Sequence, residues 1–138
     1  MSDHPREIHP DDASPRLLSL IRDLTIRLLN GPSPEHRALR DQFERARLGT
    51  ITLTGAGLYA DFVHEILRPV SPPEWIGGDV EIRVEGLDAP AGCLVKISDG
   101  QLDFLEVYTF GEVPWPDDPI VIDLGEAQPV PVPSSTPL

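Results

Sequence analysis

Nucleophilic catalysis needs a base within reach of a nucleophile. The candidate bases here are His4, His9, His36 and His64, and Cys93 is the one thiol. His4 and His9 stand beside prolines in a polar N-terminal stretch, which leaves Cys93 with His64 as the one conceivable dyad. Cys93 opens the apolar run Cys93-Leu-Val-Lys-Ile97, where a lone cysteine packs as a small hydrophobe, so the inert reading is preferred. No C-x-x-C, H-E-x-x-H, Walker or calcium-loop pattern occurs. Asp117-Asp118 lies between prolines without further ligands at useful spacing, and no metal is expected. Paired carboxylates could act as general acid and base if the fold gathered Asp61, Asp103 or Glu106, and a Glu desolvated against Phe104 would have its pKa raised. Chance proximity among 23 acidic residues is the competing explanation.

Thr54-Gly55-Ala56-Gly57-Leu58-Tyr59-Ala60 matches the dinucleotide fingerprint G-x-G-x-x-A, in which glycines let backbone amides approach a pyrophosphate at a helix N-terminus. Leu58, Tyr59, Phe62, Val63, Ile66 and Leu67 also fit one helix face. The chain nevertheless has too few strand and helix pairs for a doubly wound sheet, and its net charge of −12 would repel an anionic cofactor. No cofactor is expected, and a Gly-rich hairpin or bulged strand is the alternative. An enzyme is the less favoured class.

Residues 1–47 carry 8 Arg against 8 acidic residues, whereas residues 48–138 carry 3 basic and 15 acidic ones, so the whole excess belongs to the second part. Such a surface disfavours nucleic acid or an anionic membrane and suits a basic protein partner. The N-terminus has no apolar stretch of the kind a secretory signal requires. The run from Leu17 to Leu29 is broken by Arg22, Asp23 and Arg27, whereas a membrane span needs about 20 apolar residues. A cytoplasmic protein is expected.

Two helices should open the ordered part, each announced by Ser-Pro, with Ser14 and Ser33 as N-caps. Leu17, Leu20, Ile21, Leu24 and Leu28 recur at helical spacing, and Asn30-Gly31-Pro32 reads as a left-handed stop. The second helix shows Leu39, Phe43 and Ala46 on one side, with its arginines on a solvated face. Beyond Gly49 the pattern changes to strands: Thr50-Ile-Thr-Leu-Thr54, Asp79-Val-Glu-Ile-Arg-Val-Glu85 and Ile120-Val-Ile-Asp-Leu124. In the middle one Val80, Ile82 and Val84 face the core while Asp79, Glu81 and Glu85 face water, as in an antiparallel sheet open on one side. The expected class is α+β: two N-terminal helices followed by a mostly antiparallel sheet of about five to six strands. One domain over residues 14–127 is flanked by a disordered tail at 1–13 and a Pro-rich tail at 128–138.

Asp99-Gly100 is a strong two-residue hairpin turn that places Ser98 opposite Gln101 and Ile97 opposite Leu102. An uninterrupted ladder then sets Lys96 against Asp103, Val95 against Phe104 and Cys93 against Glu106. That register turns Glu106 toward the core, so either a bulge re-aims it or a carboxylate points inward. Trp75 and Trp115, in Pro/Gly-rich loops, are candidates for core lids or for aromatic anchors of a partner.

The stretch from about Leu53 to Pro116 resembles a group of small bacterial proteins of unassigned function. These share T-G-x-G followed by aromatics, then G-D-V, then L-E-x-Y-T-[YF]-G…W-P. The matching residues are Thr54-Gly55-Ala56-Gly57, Gly78-Asp79-Val80, and Leu105-Glu-Val-Tyr-Thr-Phe-Gly111 running to Trp115-Pro116. The resemblance implies an antiparallel sheet, with Leu58 to Glu65 a strand despite its helical periodicity. Some such proteins look like partners or neutralisers of toxins.

The leading expectation is a non-enzymatic protein-binding module, in its most concrete form an immunity or antitoxin-type protein, whose acidic sheet face docks a basic partner. The candidate contact residues are Asp79, Glu81, Glu85, Asp103, Glu106, Tyr108 and Trp115. The alternative is a small-ligand protein or minor enzyme with a pocket around Glu106 and Tyr108, between sheet and helices. Homo-oligomerisation through a sheet edge is the third possibility.

Overall fold

The computed structural model describes residues 5–63 and 75–126. In chain order the elements are β1 (Arg6–Ile8), a 3-10 turn (Pro10–Asp12), α1 (Pro15–Leu28), α2 (Pro34–Arg45), β2 (Arg47–Leu53), β3 (Gly57–Val63), β4 (Trp75–Val84), β5 (Ala91–Ser98), β6 (Gln101–Thr109) and β7 (Val121–Glu126). The strands form one sheet in the order β1-β2-β3-β6-β5-β4-β7, and every pairing is antiparallel. The α+β class holds, but the expected topology does not. Among the described residues seven strands replace the expected five or six, and β1 precedes the helices, which are therefore inserted between two neighbouring strands rather than placed ahead of the sheet. Part of the expected N-terminal tail is consequently a strand: Arg6, Glu7 and Ile8 pair with Leu53, Thr52 and Ile51. A three-residue strand has too few positions to show alternation, and its stabilisation comes from a partner remote in sequence. The earliest residues of that tail and the whole Pro-rich stretch 128–138 lie outside the described residues.

Both helices start as their sequences dictate. Ser14 Oγ accepts the Leu17 amide at 3.1 Å and Ser33 Oγ the His36 amide at 3.1 Å, each with proline in the first turn, where its missing N–H costs nothing. The apolar stripe of α1 is buried against β4 and β5, with Leu17 and Leu24 fully inaccessible, and α2 lies against β6. The stop after α1 is not the expected left-handed glycine, because Gly31 is not among the residues with positive φ. Arg40 supplies the donors instead: its Nη1 reaches the carbonyls of Leu29 at 2.6 Å and Gly31 at 2.8 Å. Arg40 is thus taken out of the solvated face that the spacing of α2 suggests.

A buried amide fixes α2 to the sheet. Gln42 Nε2 donates to the Gly100 carbonyl at 3.1 Å, and its Oε1 accepts the Leu102 amide at 2.9 Å. The β5–β6 turn is the expected one, since Asp99 (φ 53) and Gly100 (φ 76) both adopt the left-handed conformation that a two-residue turn of this kind requires.

One inward face of the sheet joins the helices in a single core that includes Ile51, Leu58, Ile82, Cys93, Val95, Leu105 and Val107. Cys93 is fully buried there, which agrees with a packing role. Trp115 is 5% exposed and belongs to the same core. Its amide donates to the Gly55 carbonyl at 2.9 Å, closing the loop after β6 over the β2–β3 turn. The glycines around Gly55 therefore make a hairpin between two strands: Thr54 N donates to Gly57 O at 3.0 Å. The element that follows is β3, not the helix that pyrophosphate binding needs. No described helix is long and apolar enough to cross a membrane.

Candidate functional site

The register of β6 decides where the chemistry-bearing side chains go. Ser98 opposes Gln101 and Ile97 opposes Leu102, after which the ladder slips: Lys96 opposes Phe104, Val95 opposes Leu105, Leu94 opposes Glu106 and Cys93 opposes Val107. Asp103 is the extra residue of a β-bulge. The expected pairs of Lys96 with Asp103 and Cys93 with Glu106 are thereby corrected by one position. Leu105 and Val107 turn inward, while Phe104, Glu106 and Tyr108 turn outward. A bulge here satisfies both ends of the strand: the turn fixes the pairing on one side and the apolar residues fix it on the other. Ser98 Oγ donates to Asp103 Oδ2 at 2.7 Å and holds the extra residue in place.

The outward face that results carries three adjoining rows. Glu7, Thr52, Tyr59, Glu106, Leu94 and Gly77 run across it from β1 to β4. Asp61, Phe104 and Lys96 lie on one side of that row, and Gly57, Tyr108, Gly92 and Glu81 on the other. Tyr59 and Phe104 meet edge to face at 5.4 Å, as do Tyr108 and Phe110, the latter 73% exposed. Tyr108 lies over Gly92: a Cβ added there would stand 2.6 Å from the ring, so the glycine makes room for the tyrosine. Both helices pack on the opposite face, and no described element covers this one.

Electrostatics mark the same face. Burial raises the pKa of Asp61, helped by Asp103 and then Glu7, so these three carboxylates lie close enough to repel one another. Burial likewise raises the Tyr59 hydroxyl, with Glu106 adding to it, and raises Tyr108, with Cys93 and then Glu106 contributing. Both phenols therefore stay neutral donors through the physiological range. Arg83 offsets part of the charge by reaching Glu81 at 3.5 Å.

The structure brings Glu81, Asp103, Glu106 and Tyr108 together on this face and separates the other expected contact residues. Glu85 is exposed, just beyond the end of β4. Asp79 lies in β4, but its side chain is outside the described residues, as are Trp75's side chain and His64. Trp115 is a core lid, which removes it as a surface anchor. A pocket around Glu106 and Tyr108 between sheet and helices is also excluded, since both side chains point away from the helices. Missed in the sequence were Tyr59 and Phe104 as members of the face. Their alternation with Asp61, Glu106 and Tyr108 is visible once the bulge is known. The Asp117-Asp118 pair is consumed structurally: Asp117 binds Arg6, and Asp118 binds Arg16 at 3.0 Å, tying the final loop to β1 and α1. Among the described residues no cluster of His, Cys, Asp and Glu has the geometry of a metal site.

Among the described strands β1 and β7 are the outermost. Ile122 on β7 is 66% exposed. No family model, curated protein or solved structure matches the chain.

Proposed function

We propose that the chain is a non-enzymatic protein-binding module whose open sheet face docks a basic partner. The observation that supports this most is the composition of that face, which no described element covers: Tyr59, Phe104, Tyr108 and Phe110 stand among Glu7, Asp61, Glu81, Asp103 and Glu106, with Lys96 and Arg83 as the opposing charges. Partner arginines suit such a surface. A guanidinium can stack on Tyr59 or Tyr108 while bonding Glu106, and the neutral phenols donate to backbone carbonyls. Aromatic anchors inside a charged field are the usual energetic centres of protein interfaces. A neutraliser of a basic protein, in the manner of an immunity protein, is the most concrete form of this function.

The test begins with capture from native lysate at low salt. The same capture is repeated with Glu81→Lys/Glu106→Lys and with Tyr59→Ala/Tyr108→Ala, both of which alter a solvent-facing layer. The expected partner is basic, its association rate falls by about tenfold or more between low and physiological salt, and both double variants lose it. Amide shifts induced by the recovered partner should map to β3, β5 and β6. A partner insensitive to salt and to both variants, or shifts confined to the helices, would reject this function.

The exposed apolar edge of β7 favours self-association as a second reading. It predicts a concentration-dependent dimer in sedimentation that Ile122→Lys abolishes; a chain that stays monomeric at high concentration dismisses it.

A further inference from the structure

On the helical side, α1, α2, the 3-10 turn and the ends of β2 and β3 leave a hollow of about 910 Å³. Pockets for small organic ligands span roughly 300–1,000 Å³ and combine apolar walls with a few convergent polar groups. The walls here are Leu18, Ile21, Ile26, Phe43, Leu48 and Phe62. Phe43 and Phe62 meet edge to face at 5.8 Å, and Ile26, on the side of α1 away from its buried stripe, stays 40% exposed. Apolar surface is therefore left unfilled between the two helices, although the same helices bury their leucines completely elsewhere.

The polar lining is specific in sign. Arg22, Arg40 and Arg47 border the hollow together with Asp11, Glu44 and His9. Arg40 is engaged in capping α1, and Asp11 sits 3.5 Å from His9 Nδ1. The side chains of Arg22 and Arg47 make no ion pair or hydrogen bond among the described residues. In a chain of net charge −12, the lining of this hollow carries net positive charge. Asp61, Glu81, Asp103 and Glu106 face the other side of the sheet, and at physiological ionic strength a charge is screened over about 8 Å.

We propose that this hollow binds a small amphipathic carboxylate, its apolar body lying between α1 and α2 and its carboxylate held by Arg22 and Arg47. Three arginines against two carboxylates leave about one positive charge, which matches a monoanion better than a phosphate dianion, and the guanidinium fork pairs with a carboxylate through two parallel hydrogen bonds. This site is independent of the sheet face, because the β-sheet separates the two.

Titration calorimetry with decanoate, compared with 1-decanol and decyltrimethylammonium, tests the site below the aggregation concentration of each probe. Decanoate should bind saturably, 1-decanol at least about tenfold more weakly and the ammonium not at all, while amide shifts gather on α1, α2 and the start of β2. Arg22→Gln/Arg47→Gln should weaken decanoate about tenfold or more, equivalent to about 1.4 kcal/mol. Both arginines are exposed, so the variant should melt as the wild type does. Absence of saturable decanoate binding, equal affinity for 1-decanol or the ammonium, full affinity in the double variant, or shifts on the sheet face would each overturn the proposal.

Discussion

Deleting Asp103 should be tolerated, whereas deleting Val107, four positions on, should unfold the protein. Asp103 is the extra residue of the bulge, so its removal lets Leu102 opposite Ile97 run directly into Phe104 opposite Lys96. Every side chain beyond that point keeps its face. The losses are the 2.7 Å hydrogen bond from Ser98 and some strain in the two bonds from Gln42 to the hairpin tip, about 1–3 kcal/mol together. Relief of the repulsion between Asp103 and Asp61 offsets part of this. Deleting Val107 removes a buried side chain and is rescued in neither register: with the bulge kept Tyr108 turns to the core, and with the bulge lost Leu105 turns to water and Glu106 to the core. The lost valine costs about 1.5–3 kcal/mol, exposure of leucine as much again, and a buried unpaired carboxylate several more. The sum reaches the whole stability of an ordinary domain, about 5–15 kcal/mol. Urea denaturation followed by circular dichroism measures the first variant, and amide dispersion shows whether the second folds. Comparable losses in the two deletions, or a folded Val107 deletion with native dispersion, would refute the assignment of the bulge.

The two faces of β4 should respond oppositely to charge. Ile82→Asp puts an unpaired carboxylate at a fully buried position and should cost more than about 4 kcal/mol, while Glu81→Lys should change stability by less than about 1 kcal/mol; denaturation midpoints decide. Asp61 has its folded pKa raised, first by burial and then by Asp103 and Glu7, so the native state binds its proton more tightly than the unfolded chain does. Its ionised form therefore destabilises the fold above the folded pKa, and that penalty disappears as pH falls below the ordinary carboxyl value. Asp61→Asn should accordingly be the more stable protein at neutral pH and lose its advantage near pH ~3, as read from paired melting curves. The Trp115 indole N–H is buried and has no hydrogen-bond partner among the described residues. Trp115→Phe, which removes that donor, should cost at most about 1–2 kcal/mol, against about 3–5 kcal/mol for Trp115→Ala.

What the sequence determined by itself is local. Ser14 and Ser33 cap helices because hydroxyl and amide are neighbours along the chain, the α1 stripe is buried because its spacing is helical, and Asp99-Gly100 turns because both residues adopt positive φ at low cost. The alternation of Val80, Ile82 and Val84 likewise states which side of β4 is inward. The tertiary structure decided whatever depends on a partner distant in the chain. β1 is a strand because Leu53, Thr52 and Ile51 are there to pair with it, and Gly57–Val63 is a strand despite its helical periodicity because β2 and β6 flank it. Arg40 became a helix cap, Gln42 a clamp on the hairpin and Trp115 a core lid through contacts that no local pattern encodes. Glu106 shows the division within one strand. Its conflict with the turn register was legible in the sequence, but the residue that absorbs the conflict, Asp103, is chosen by packing: the core takes Leu102, Leu105 and Val107 together, and a period of two can deliver all three inward only if one residue between Leu102 and Leu105 is left unpaired.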